Sequence, residues 1–303
     1  GYKKHMSMGP ILGTGGLAMI IPPSALSVLL ASLAEIDIGK LLIAGVLPGL
    51  VLAVLYSILI YAQVKIDPDA APEYTVEQYT FGQMIWSLVV NVLPMGLVVF
   101  CVIGLIILGI ATPTEAAGFG ALGVVVLALI YRVLTWKILV KAFSGSLRVT
   151  AMVLLIILAS STFSQLLAFT GATSGLIEWA TQVELAPLVM LLIMFGVLLI
   201  LGMFMDQVSM MLLTVPIFFP LAEMLQFDVI WFGLVMLLAL EISLTTPPFG
   251  LLLFVMMGVA PEGTTLWQVA KAAAPYIGCA LIVLVLLIIF PELGTYLPNL
   301  MVK

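Results

Sequence analysis

Two proline pairs, Pro22-Pro23 and Pro247-Pro248, interrupt long apolar runs. Gly13, Gly15 and Gly16 precede the first pair; Ser243, Thr245 and Thr246 precede the second. A proline has no N–H to give a helix and pushes the residue before it out of the α region, so 21–23 and 246–248 cannot continue a regular helix. Unwound backbone is costly in a membrane interior unless it lines a cavity or holds a ligand. Freed carbonyls bind small hard cations, and helix N-termini attract anions. The pairs read either as two halves of an ion and solute site or as kinks relieved by neighbouring helices, and two breaks in matching places favour the site. Two carboxylates lie near them in apolar sequence, Asp206 and Glu241. Ionisable groups at membrane depth are functional by default, although Asp206 also reads as the N-cap of a following helix and Glu241 as a structural partner of hydroxyls or backbone.

No catalytic set accompanies them. The chain has one histidine, His5, beside Lys3 and Lys4, and its two cysteines, Cys101 and Cys279, sit in apolar runs as small hydrophobes. Met203, Met205, Met210 and Met211 read as adaptable packing rather than a soft-metal site. There is no Walker loop, triad or metal-ligand spacing. The chain reads as no enzyme, and transport would draw on an ion gradient.

Positioning such a site requires membrane helices. Of 303 residues, 64% are hydrophobic and 8% charged, about a third of the charge a soluble fold needs, and mean hydropathy is +1.33. The net charge of -5 and the lack of a basic tract exclude nucleic acid. A span takes about 20 apolar residues, which gives runs at 11–34, 41–62, 91–111, 115–133, 149–170, 186–204, 208–225, 229–257 and 274–292. The stretch 186–225 is broken only at 202–206 and reads as a re-entrant hairpin.

Arg132, Lys137, Lys141 and Arg148 crowd one acid-free connection, which the positive-inside rule makes cytoplasmic. Lys3, Lys4, Lys65 and Lys271 then fall on the same side if the hairpin does not cross. Glu35, Asp37, Glu115, Glu178, Glu184, Glu223, Asp228 and Glu292 fall outside, with Lys40 and Lys303. The stretches 37–47 and 262–273 read as amphipathic helices flat on opposite interfaces.

Segments 20–48 and 245–275 repeat one plan: a proline pair, an apolar stretch, an acidic loop, an amphipathic stretch, and a proline opening a span. Pro23 precedes Pro48 by 25 residues and Pro248 precedes Pro275 by 27. The deduced topology gives the copies opposite directions, a transporter signature. The expected fold is an all-α polytopic membrane protein of inverted repeats. Residues 1–62 are the tail of the first repeat, 63–90 a cytoplasmic linker with an amphipathic helix, and 91–303 the second repeat with a hairpin at 186–225 and a broken helix at 229–257.

GGLAMIIPPS at 15–24, ATPTEAA at 111–117, GMFMD at 202–206 and LEISLTTPPFG at 240–250 together resemble the signature stretches of the large membrane (M) subunit of tripartite ATP-independent periplasmic (TRAP) transporters. The resemblance covers essentially the whole chain. It implies the ion transporter superfamily fold, an elevator motion, and Na+ ions coupled to symport of a small organic acid such as a C4-dicarboxylate across the bacterial inner membrane. It also implies two partners, a small four-helix membrane Q subunit and a periplasmic substrate-binding P protein. Carried over by position, Ala18, Ile21 and Pro23 resemble one sodium site, and Gly202, Ser243, Thr246 and Phe249 a second. Ala18 and Ser243 replace the family's usual glycines, so only a carbonyl role transfers there. Asp206, Thr245, Pro247 and Pro248 would border the substrate cavity. Family members carry further spans and a first hairpin before the position of Gly1, so the chain reads as a truncated subunit that does not transport alone. A single-chain sodium/dicarboxylate-type symporter and a non-transporting membrane scaffold are the alternatives.

Overall fold

Caps and prolines set the helix ends in the computed structural model, which describes residues 2–71, 80–172, 175, 178, 186–248 and 250–301. The order is α1 (Lys4–Ile20), α2 (Ala25–Leu33), α3 (Ile38–Ala44), α4 (Val46–Ile66), α5 (Phe81–Ser87), a π turn (Leu88–Val92), α6 (Leu93–Ile107), α7 (Pro113–Ile130) and α8 (Trp136–Phe169). Then come α9 (Pro187–Gly202), α10 (Gln207–Met224), α11 (Val229–Thr245), α12 (Leu251–Val259), α13 (Leu266–Ile289) and α14 (Glu292–Leu300). The side chains of Asp37 and Asp228 accept backbone N–H groups to start α3 and α11. Thr112 with Glu115 and Thr265 with Gln268 form capping boxes for α7 and α13. Among the described residues there is no strand, and the protein is all-α as expected.

Six of these helices are long and apolar enough to cross a membrane, or seven when α1 and α2, bent by 44° at the first proline pair, count as one span. The two remaining expected runs hold the shorter apolar helices α9 and α11. Some bounds differ from the sequence reading. The helix before 91 already starts at Phe81, because the π turn carries the chain through Pro94. That proline cannot donate to the Val90 carbonyl, and the Tyr131 hydroxyl donates to it instead. Lys137, Lys141 and Arg148 are not in a loop but ride the first turns of α8. The stretch 262–273 is no separate flat helix: from Leu266 it is the start of α13, which runs on through Pro275. Likewise α3 runs with α4 as one candidate span.

The chain divides into two compact units, 1–72 with 156–299 and 73–155 with 300–303. In the second unit α6 and α7 meet through small residues: a Cβ on Gly120 would lie 2.8 Å from Val102, and one on Gly123 would lie 3.2 Å from Val98. Only 6% of the most apolar stretch of either α5–α6 or α7 is buried within the structure. Their apolar surface is left for lipid or other protein.

The first unit is built around α11, whose residues from Ile230 to Thr245 are all buried, as a helix apolar on every side must be. Its ends sort the charges. Lys3 pairs with Asp67 at 2.6 Å, and Lys4, His5, Gln63 and Lys271 line one cavity of about 480 Å3, so the starts of α1 and α13 and the end of α4 share one end. At the other, Leu41 and Ile36 lie against Gly233, and Gly294 against Leu234 and Trp231; this gathers Asp37, Asp228 and Glu292 near the start of α11. The α1–α2 segment thus runs from the basic to the acidic end and α11–α12 runs back, the inverted repeat that the sequence implied.

Candidate functional site

The two proline pairs occupy equivalent places, and both Pro-Pro bonds are cis. In a continuous helix, Pro22 and Pro247 would donate to the carbonyls of Ala18 and Ser243, and Pro23 and Pro248 to those of Met19 and Leu244; none can. The copies deal with these acceptors differently. In the first, the Met19 carbonyl accepts from Ser24 Oγ at 2.6 Å and Ser27 Oγ at 2.8 Å. Ser24 also caps α2 by accepting from the Ser27 N–H. Gly45 sits under the Ile20 carbonyl, where an added Cβ would lie 2.1 Å from the oxygen, and Gly49 sits under Ile21.

In the second copy, the Ser243 carbonyl accepts from the Thr246 N–H at 3.2 Å, a tightened last turn. Gly250 lies against the Leu244 carbonyl so closely that a Cβ would be 2.5 Å from its oxygen. The hydroxyls all donate back into α11: Ser243 to Leu240 at 2.8 Å, Thr245 to Ile242 at 3.1 Å and Thr246 to Ile242 at 2.6 Å. Their protons are thereby spent, which leaves the oxygen lone pairs as acceptors for a cation.

Gly202, at the end of α9, is seated directly on Ser243: a Cβ there would fall 2.2 Å from both Cβ and Oγ of the serine. The hairpin and the second break are therefore in contact, and Gly202, Ser243 and Thr246 form one neighbourhood. Phe249 lies outside the described residues. Ala18 and Pro23 are exposed, with Ile21 half-buried, whereas Ser243 and Thr245 are buried, Pro247 is half-buried and Pro248 is exposed. Asp206 is exposed and works as the N-cap of α10, accepting from the N–H groups of Val208 at 2.9 Å and Ser209 at 3.1 Å and from the Ser209 hydroxyl.

Glu241 is buried on α11 facing Gly16 of α1, and its Oε1 accepts from the Tyr56 hydroxyl at 3.2 Å. Tyr56 of α4 and Tyr276 of α13 meet edge to face with ring centroids 5.2 Å apart, and Tyr276 packs on Gly9 and Gly13. Sequence reasoning missed both tyrosines. The available signal was their place as aromatic hydroxyls in the two apolar spans that Pro48 and Pro275 open.

A family model described as the tripartite ATP-independent periplasmic transporter, DctM component, matches residues 1–293. The chain is 34% identical to the C4-dicarboxylate TRAP transporter large permease protein DctM of Pseudomonas aeruginosa, over 99% of this chain and 69% of that protein. It is 28% identical to the sialic acid TRAP transporter permease protein SiaT of Haemophilus influenzae, over 100% of this chain and 48% of that protein. The ectoine TRAP transporter large permease protein TeaC of Halomonas elongata is also 28% identical, over 99% of this chain and 69% of that protein. The matched length, the apolar helices and the paired broken helices agree: the chain belongs to the DctM component family of TRAP transporters, and is a multi-pass inner-membrane transport protein rather than an enzyme.

Proposed function

We propose that this chain carries out sodium-coupled symport of a small organic acid, with a carboxylate as the solute class, as the large permease beside a small membrane Q subunit and a periplasmic P protein. The observation that carries the reading is the matched pair of breaks: the first proline of each pair removes the helical donor of Ala18 and of Ser243, and Gly202 brings a second backbone against the latter. Carbonyls and donated-out hydroxyls suit a sodium ion, and the relatives named for C4-dicarboxylates support a carboxylate solute. Ala18, Ile21 and Pro23 would serve one ion and Gly202, Ser243, Thr246 and Phe249 another, with Asp206, Thr245, Pro247 and Pro248 bordering the solute. An elevator motion would carry the site across.

The test is uptake into proteoliposomes containing the permease with its Q subunit, loaded with P protein and a radiolabelled dicarboxylate. Uptake should require an inward sodium gradient and the P protein. Uptake without the P protein would support the single-chain alternative, and uptake indifferent to sodium would refute the coupling. Thr246→Ala should abolish the rise in melting temperature that sodium produces; no such rise in the unmodified protein would favour a scaffold.

A further inference from the structure

We propose that the cavity between α1, α4 and α13 binds a glycerol phosphate group, carried by an anionic lipid of the membrane. The cavity measures about 480 Å3, within the ~300–1,000 Å3 of small-ligand sites. Lys4 and His5 line it from α1 and Lys271 from α13, and no carboxylate does so among the described residues. Asp67, at the end of α4, is already held by Lys3 at 2.6 Å, and neither Lys4 nor Lys271 has an ion pair among the described residues. Helix α1 also begins here with no acid in its first turn and no side-chain cap, so its open N–H groups and its dipole add to the attraction for an anion.

Two amides in the wall define the ligand further. Gln268 spends its Oε1 on the Thr265 N–H at 3.1 Å, which leaves its Nε2 to donate. Gln63 is the opposite case: its Oε1 is buried with no hydrogen-bond partner among the described residues, a cost that a ligand removes by supplying a hydrogen. The site therefore asks for an anion that carries a donor of its own. A phosphate diester with a neighbouring hydroxyl meets both demands, whereas an ammonium would meet the second but be repelled by the two lysines. Met8, Ala272 and Pro275 complete the wall with apolar surface. Trp267, one residue before Gln268, is 73% exposed, as suits an aromatic at the membrane–water interface. Basic pockets between membrane helices at that level take lipid headgroups, and the apolar remainder of α13 offers a path for the acyl chains. This inference does not depend on the sodium or solute reading above.

Native mass spectrometry of the purified permease with phosphatidylglycerol, phosphatidylcholine or phosphatidylmethanol tests it, and melting temperature in soluble glycerol phosphate is the second arm. Phosphatidylglycerol should be retained over phosphatidylcholine. Lys4→Gln combined with Lys271→Gln should weaken that retention by about fivefold for each lysine removed, while Lys40→Gln at the acidic end should leave it unchanged. Equal retention of the two lipids with no stabilisation by glycerol phosphate, or a preference that the double variant keeps, would overturn the proposal. A melting temperature raised by glycerol phosphate without any lipid preference would uphold the phosphate site and overturn the lipid as its source. If the double variant does not fold, the unmodified protein decides: phosphatidylglycerol should be retained over phosphatidylmethanol, which has the same charge but no hydroxyl for Gln63, and equal retention would overturn the assignment.

Discussion

Gly16 and Glu241 hold the same position in the two halves of the repeat, six residues before Pro22 and Pro247, and they touch: a Cβ on Gly16 would lie 2.4 Å from Glu241 Cγ and 2.7 Å from its Oε1. α1 and α11 thus meet at matching positions of the two segments. At such a contact the halves cannot both carry a large side chain. Glycine on one makes room for the carboxylate on the other.

Gly16→Ala therefore pushes a methyl into Glu241. Overpacking of this kind costs roughly 1–3 kcal/mol, and the melting temperature of the purified protein should fall accordingly. Combined with Glu241→Ala, which vacates the space, the same substitution should cost clearly less than the two single effects summed.

The contact of Gly202 with Ser243 is tighter still. Gly202→Ala should destabilise by a similar ~1–3 kcal/mol, and Ser243→Gly in the same chain should restore most of the loss. A double-mutant cycle of melting temperatures that shows no coupling would mean that α9 does not rest on α11 as described.

Ser24 and Ser27 share one acceptor, the Met19 carbonyl that Pro23 leaves without a helical donor. Either Ser→Ala change alone should cost about 0.5–1.5 kcal/mol. The double change leaves a bare carbonyl, whose desolvation adds about 1–3 kcal/mol. Its effect should exceed the sum of the single changes in thermal unfolding.

Asp206 separates capping from solute binding. Asp206→Ala should lose about 0.5–2 kcal/mol of stability as an N-cap is removed, and Asp206→Asn should keep most of it because asparagine caps nearly as well. If Asp206 also borders the solute, Asp206→Asn should reduce proteoliposome uptake while its melting temperature holds.

The membrane class, the helices and the breaks were legible because lipid imposes rules that act on local sequence: apolar runs of span length, prolines that cannot donate, and basic residues gathered to one side. The inverted repeat was legible for the same reason, since Pro22-Pro23 and Pro247-Pro248 mark equivalent turns. Helix starts were less so. Lys137, Lys141 and Arg148 mark a loop by charge, yet a charged turn is as helical as an apolar one, and α8 runs through Gly145 as α13 runs from Leu266 through Pro275. Asp206 had two readings in sequence, and the N–H groups of Val208 and Ser209 that it accepts establish the cap.

What the sequence alone determined is therefore where the chain crosses, where it breaks and which backbone groups the prolines deprive of donors. Tertiary structure alone decided what surrounds those groups and their neighbours: two serines at Met19, a glycine approach at Leu244, Gly202 on Ser243, and two tyrosines beside the Glu241 side chain. The physical reason is that a missing N–H is a property of one residue, whereas its replacement must come from whatever the fold brings within hydrogen-bonding distance. For the Glu241 side chain the hydrogen-bond donor likewise comes from the fold, 185 positions away, on Tyr56.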